Sequence, residues 1–199
     1  YFIMPYTTTI LKFKKSNFKH WTFMVVSLFL FSCRNEQHSK TIDKELTQET
    51  TTISFTAIGD VPYNNEQRDG LITIISKHNA LDPSEFVIHV GDIKPGALEC
   101  NESIYEDVSG ILKMMEAPTF IVLGDNEYND CTDPKQGLEY WNKYFLHFNE
   151  NWVFEPAVTY QPGRTENFSW IDHKVLFIGI NLVGSQVRDS LEWNNRLTQ

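Results

Sequence analysis

Residues 53–60 read Ile-Ser-Phe-Thr-Ala-Ile-Gly-Asp, residues 85–92 read Glu-Phe-Val-Ile-His-Val-Gly-Asp, and residues 119–125 read Thr-Phe-Ile-Val-Leu-Gly-Asp. Each is a short apolar run, rich in β-branched and aromatic residues, that ends in Gly-Asp. Such runs read as strands, and the glycine lets the chain turn sharply where the strand stops. The aspartates Asp60, Asp92 and Asp125 recur at spacings of 32 and 33 residues, one strand–helix unit each. Between them, about Glu66 to His78 and about Ser103 to Glu116 read as helices. Strands alternating with helices predict a parallel α/β sheet. In open α/β sheets ligands bind at the carboxyl ends of the strands, so three neighbouring strands deliver three carboxylates to one rim. A single Gly-Asp after a strand is ordinary turn chemistry; three at near-equal spacing predict a site. Three converging carboxylates repel one another unless a cation joins them, and oxygen donors of this kind suit hard or borderline metal ions.

Working outward, Gly137 to Phe148 reads as a helix. Asn167 to Ile171 and Lys174 to Asn181 read as a hairpin turning at Asp172-His173, and a last helix begins near Leu191. The chain has 199 residues, enough for one domain with appendages, and its apolar content of 41% with 14% aromatic residues is that of a folded core. The net charge is −9. No basic cluster stands outside the first 20 residues, which argues against a nucleic-acid partner.

Those first residues read as an address. Residues 11–20, Leu-Lys-Phe-Lys-Lys-Ser-Asn-Phe-Lys-His, are basic, and Trp21 to Phe31 is almost wholly apolar. A basic segment, a short apolar segment and a small residue before the break describe a secretory signal, and the apolar run is shorter than the ~20 residues that span a bilayer. The ending Leu30-Phe31-Ser32-Cys33 resembles a bacterial lipobox, which implies lipidation at Cys33 and a place in the bacterial cell envelope; plain secretion is the alternative. The expected organisation is a signal over residues 1–33, a polar tether over 34–52, and one domain over 53–199.

The three elbows, Gly59-Asp60-Val61-Pro62-Tyr63, Gly91-Asp92-Ile93-Lys94-Pro95-Gly96 and Gly124-Asp125-Asn126-Glu127, resemble the first three motifs of the calcineurin-like metallophosphoesterases, a superfamily that includes the purple acid phosphatases. The resemblance implies a layered sandwich of β-sheets flanked by helices. It also implies two divalent or trivalent metal ions (Fe, Mn or Zn) and a phosphate-ester substrate, hydrolysed by hydroxide that the two metals activate. Position by position, it implies that Asp60 binds the first metal, Asp92 bridges both and Asp125 binds the second. Asn126 then stands where the family has a histidine that contacts phosphate or leaving group. The third elbow can also be read one step over, with Asn126 as the ligand. Pro62 replaces the first motif's histidine, and Tyr63 is one substitute. The family's later histidine motifs have no counterpart in the 199 residues, so the resemblance implies a domain over 53–199 that is incomplete at its C-terminal end.

Around these, Lys94 and Arg164 are candidate phosphate-binding cations. Glu127 is expected to steady the metal ligands by hydrogen bonding. His89 reads as a hydrogen-bonded strand residue rather than a ligand. Cys100 and Cys131 fall in rim loops of neighbouring strands, and in an exported protein that pattern predicts a disulfide. The alternative to an enzyme is a non-catalytic envelope lipoprotein that keeps the fold and binds a ligand or partner; Pro62, Asn126 and the missing histidines favour it.

Overall fold

The structure is a computed structural model that describes residues 52–81, 83–184 and 186–199. The expected signal, the lipobox with Cys33 and all but the last residue of the tether lie outside the described residues.

The elements run β1 (Phe55–Ile58), α1 (Asn65–Leu81), β2 (Phe86–His89), α2 (Glu102–Leu112), β3 (Thr119–Ile121), α3 (Pro134–Phe145), a 3-10 turn (Phe148–Asn151), β4 (Thr159–Gln161), β5 (Arg164–Asp172), β6 (Val175–Gly179) and α4 (Ser190–Leu197). The strands β1, β2 and β3 form a parallel sheet in that order, and β4, β5 and β6 form a second, antiparallel one. Register in the first sheet aligns Ile58 with His89 and His89 with Ile121. The three strands therefore stop level with one another, and the three Gly-Asp pairs emerge along one edge.

Alternation along the strands sorts the side chains into two cores. Val87 and Ile121 face the helices, where they join Leu71 and Ile75 of α1, Tyr105, Val108 and Leu112 of α2, and Trp141 and Phe145 of α3. Phe55, Phe86 and Phe120 face the other way and meet Phe168, Trp170 and Phe177 of the second sheet. There Trp170 stacks on Phe120 with ring centroids 4.2 Å apart, and Phe86 meets Trp170 edge-on at 5.2 Å. Helices thus cover one face of the parallel sheet and a second sheet covers the other, which is the layered arrangement the family resemblance implies. Truncating one of these buried aromatics would cost about 3–5 kcal/mol.

Three local readings differ. The helix expected over Gly137 to Phe148 starts earlier and ends earlier: Asp133 caps it by accepting from the N–H groups of Lys135 and Gln136, Pro134 sits in its first turn, and Leu146 ends it by turning to ψ 127°. The hairpin turns one residue later than expected, at His173 and Lys174, both with positive φ as a two-residue hairpin turn requires. The first hairpin strand, expected from Asn167, starts earlier, with Arg164 opening β5.

Candidate metal and phosphate site

The site is made by three elbows that need each other's shape. Asp60 (φ 54°) and Asp92 (φ 61°) both occupy the left-handed region that few residues other than glycine, asparagine and aspartate adopt. Gly91 is left-handed as well, at φ 91°, and a Cβ there would lie 2.6 Å from the backbone nitrogen of Gly124. A Cβ on Gly124 would in turn collide with Oδ1 and the backbone nitrogen of Asp92. The glycines are required because the second and third elbows pack backbone against backbone.

Two buried side chains pin the elbows together. His89, at the end of β2, is wholly buried. Its Nε2 lies 3.1 Å from the carbonyl oxygen of Val61 in the first elbow, and its Nδ1 accepts the N–H of Gly91 in the second at 3.1 Å. A carbonyl has no hydrogen to give, so Nε2 carries the proton and the ring is neutral. Burial favours the same state, pushing the imidazole down to about 4. Glu127, also wholly buried, joins the second elbow to the third. Its carboxylate accepts the N–H groups of Gly124 (2.6 Å), Asp92 (3.2 Å) and Ile93 (3.2 Å). Burial pushes this carboxyl up to about 7, against the lowering effect of the backbone donors. The hydrogen bonding expected of Glu127 is thus directed to the backbone of the elbows rather than to the carboxylates on them.

The rim itself is a chain of hydrogen bonds. The backbone N–H of Asn126 donates to Asp92 Oδ1 at 3.2 Å, Asn126 Nδ2 donates to the hydroxyl of Tyr63 at 2.9 Å, and that hydroxyl donates to Asp60 Oδ1 at 3.0 Å. Burial, then the neighbouring Asp60 and Asp92, raise the Tyr63 phenol above its ordinary range and keep it protonated. The structure brings Asp60 and Asp125 close to Asp92. The Asp92 carboxyl is raised by burial first and then by the neighbouring charges of Asp125 and Asp60; the Asn126 N–H opposes this.

Two candidates sit elsewhere than a phosphate-binding role would place them. Lys94 is turned inward and only 1% exposed, its Nζ donating to the carbonyls of Pro95 (3.1 Å) and Leu98 (2.6 Å). Burial lowers this ammonium, while Glu127, Asp130, Glu99 and Asp92 act to raise it, so its charge balances the buried carboxylates from below. Arg164 is engaged with Glu166 (3.1 Å) and Glu192 (3.2 Å) on the wall of a separate cavity of about 610 Å³. Cys100 and Cys131 are joined in a disulfide, Cα to Cα 5.5 Å, which ties the loop after β2 to the loop after β3. Tyr63 is more central than its sequence position indicates, since only the fold shows that its hydroxyl reaches across to Asn126.

Among the described residues, no group of three or more His, Cys, Asp and Glu side chains is set as a ready-made cage for an ion. The donor chemistry nonetheless suits one. Asp60, Asp92, Asp125, the phenol of Tyr63 and the amide of Asn126 are all oxygen donors for a hard cation. No basic side chain among the described residues makes an ion pair with any of the three aspartates. Asp92 in particular is a half-buried carboxylate crowded by two others, a state that a cation relieves.

The family model for calcineurin-like phosphoesterases matches residues 53–195, from just before β1 into α4. No curated protein and no solved structure matches. With 143 of its 199 residues inside that match, spanning all three elbows, the chain belongs to the calcineurin-like phosphoesterase family.

Proposed function

We propose that this chain hydrolyses phosphate esters with two metal ions held by Asp60, Asp92 and Asp125, with Asp92 shared between them. The observation that carries this reading is the crowding of Asp92 by Asp60 and Asp125 at the level ends of three parallel strands. Bound cations at such a site supply positive charge to the phosphoryl oxygens and acidify a water molecule. The chain's own residues do the rest. Glu127 and His89 hold the elbow backbones, Tyr63 holds Asp60 from the side, and the backbone N–H of Asn126 fixes the orientation of Asp92. The side-chain amide of Asn126, at 2.9 Å from the Tyr63 hydroxyl, is a donor at the rim for a phosphoryl or ester oxygen. Among the described residues the rim offers no histidine as a leaving-group acid; His89 is buried beneath it with both ring nitrogens engaged.

The test is hydrolysis of p-nitrophenyl phosphate and bis-p-nitrophenyl phosphate with Mn²⁺, Zn²⁺ or Fe, wild type beside Asp92→Asn, with metal content measured on the same samples. Turnover that needs metal and disappears in Asp92→Asn supports the proposal. A second reading, a binding protein on the same fold, rests on Pro62 and Asn126 standing where the family has histidines; sub-stoichiometric metal with no turnover of either ester would select it. Cys33 is read as the lipid attachment point that holds the domain at the cell envelope, and loss of radiolabelled palmitate incorporation in Cys33→Ala checks this.

A further inference from the structure

We propose that His89 is a positioning residue of the candidate site, a clamp that sets the spacing of the Asp60 and Asp92 elbows; what it positions them for rests on the phosphoesterase reading above. A histidine that merely filled the core would need no particular partner. His89 instead spends both ring nitrogens on the backbones of two different elbows, Val61 in the first and Gly91 in the second. Val61 follows Asp60 directly and Gly91 precedes Asp92 directly. The same two elbows meet again where the Asp60 N–H donates to the Gly91 carbonyl at 3.2 Å. Gly91 therefore has its N–H held by the imidazole and its carbonyl held by the first elbow, at a φ of 91° that glycine adopts without steric cost. Both neighbouring aspartates hold left-handed conformations, which persist only where surrounding structure over-determines them. For the first elbow and the second, the imidazole supplies that constraint from below, as Glu127 does for the second and third.

The role is also specific to imidazole. The site needs one acceptor and one donor, rigidly spaced, at full burial. Asparagine can keep only the Gly91 half and glutamine only the Val61 half, while leucine fills the space and keeps neither.

The experiment compares the full-length wild type with His89→Leu, His89→Asn and His89→Gln. The first readout is amide hydrogen exchange on metal-free protein, which needs no metal and no turnover. Exchange at Asp60 and Gly91 is expected to quicken at least tenfold in His89→Leu relative to Val87 and Ile88 in the adjoining strand. The second readout is Mn²⁺ titration by calorimetry, expected to weaken at least tenfold in His89→Leu, with partial recovery in His89→Gln. In the p-nitrophenyl phosphate assay kcat should fall while KM stays within about twofold. Uniform quickening of exchange, with Mn²⁺ affinity per folded molecule within twofold of wild type, would make His89 an ordinary core residue and overturn the proposal. Should His89→Leu fail to fold, the exchange comparison is made on the glutamine variant, where Gly91 alone is expected to lose protection. If the wild type itself binds no Mn²⁺, the phosphoesterase reading falls, and the exchange comparison still decides whether His89 is the clamp.

Discussion

Removing the Glu127 carboxylate tests whether the elbows are held from below. The side chain is fully buried and accepts three backbone N–H groups, two on Oε1 and one on Oε2. In Glu127→Gln the amide oxygen can still accept from Gly124 and Asp92, but the amide nitrogen then faces the N–H of Ile93, donor against donor. One orphaned buried donor costs about 1–3 kcal/mol. Glu127→Ala orphans all three donors, and even if a water enters the vacated space the loss is expected to exceed about 3 kcal/mol. A domain of this size has only about 5–15 kcal/mol in total. The assay is urea unfolding of metal-free protein at pH 7.5 with the disulfide intact. At a slope of about 1–3 kcal/mol per molar urea, glutamine should shift the midpoint by about 1 M and alanine by distinctly more. Equal shifts for the two variants, or an alanine variant as stable as wild type, would refute the view that these three hydrogen bonds hold the second and third elbows in place.

Glu127 and His89 should also pull the pH dependence of stability in opposite directions. Glu127 is raised from 4.5 to about 7, so its contribution is complete below pH 4.5 and lost as pH rises through 7. His89 is lowered from 6.5 to about 4, so its contribution is complete above pH 6.5 and lost as pH falls through 4. Each window is worth up to about 3 kcal/mol; denaturant melts of metal-free protein should show Glu127→Gln losing stability on acidification and His89→Leu losing it as pH rises, while wild type changes less than either. Gly124→Ala forces a Cβ into Asp92 and should abolish Mn²⁺ binding, whereas Gly70→Ala in α1, where a Cβ meets nothing within 4 Å, should stabilise by about 0.5–1 kcal/mol; calorimetry and thermal melts check the pair. Reducing the Cys100–Cys131 disulfide, whose sequence separation is 31, should cost about 3.5 kcal/mol in the loop-entropy description, read as a midpoint shift with and without reductant.

What could be read from the sequence, and what could not, divides along a physical line. Strand periodicity and the repeated Gly-Asp are local properties, and they led to a parallel sheet with Asp60, Asp92 and Asp125 at one edge, where the fold puts them. The two cysteines were legible for a related reason, because each follows an elbow by a few residues and the elbows lie side by side. Side-chain direction is a different matter. Lys94 stands two residues beyond Asp92, and along the chain it looks free to reach a phosphate. The turn through Gly91 and Asp92, both left-handed, instead aims it inward to the carbonyls of Pro95 and Leu98. β4 was missed because it is three residues long and is followed by Pro162-Gly163, which reads as a turn. Its ladder with β5 supplies the order its own residues do not.

The residues that hold the site leave the weakest trace in the sequence, and the reason is their geometry. The aspartates lie on the rim and announce themselves by motif; a pin lies under the rim and is defined by two partners that are far apart in the chain. His89 connects Val61 to Gly91, and Glu127 connects Gly124 to Asp92 and Ile93, so each pin spans roughly one strand–helix unit. The sequence marks one as a hydrogen-bonded histidine in an apolar strand and the other as a hydrogen-bonding acid after a Gly-Asp elbow, and it names the partners of neither. Level strand ends turn these into bridges, because Ile58, His89 and Ile121 share one register. A one-residue slip in either pairing would carry His89 to the opposite face of the sheet or away from Val61. The register and the pins therefore specify each other: the sheet brings the imidazole under the elbows, and only in that register are both its nitrogens satisfied at full burial. A strand-pairing error would leave a buried, unpartnered imidazole, an energetic penalty of about 1–3 kcal/mol against the wrong fold, placed directly beneath Asp60 and Asp92.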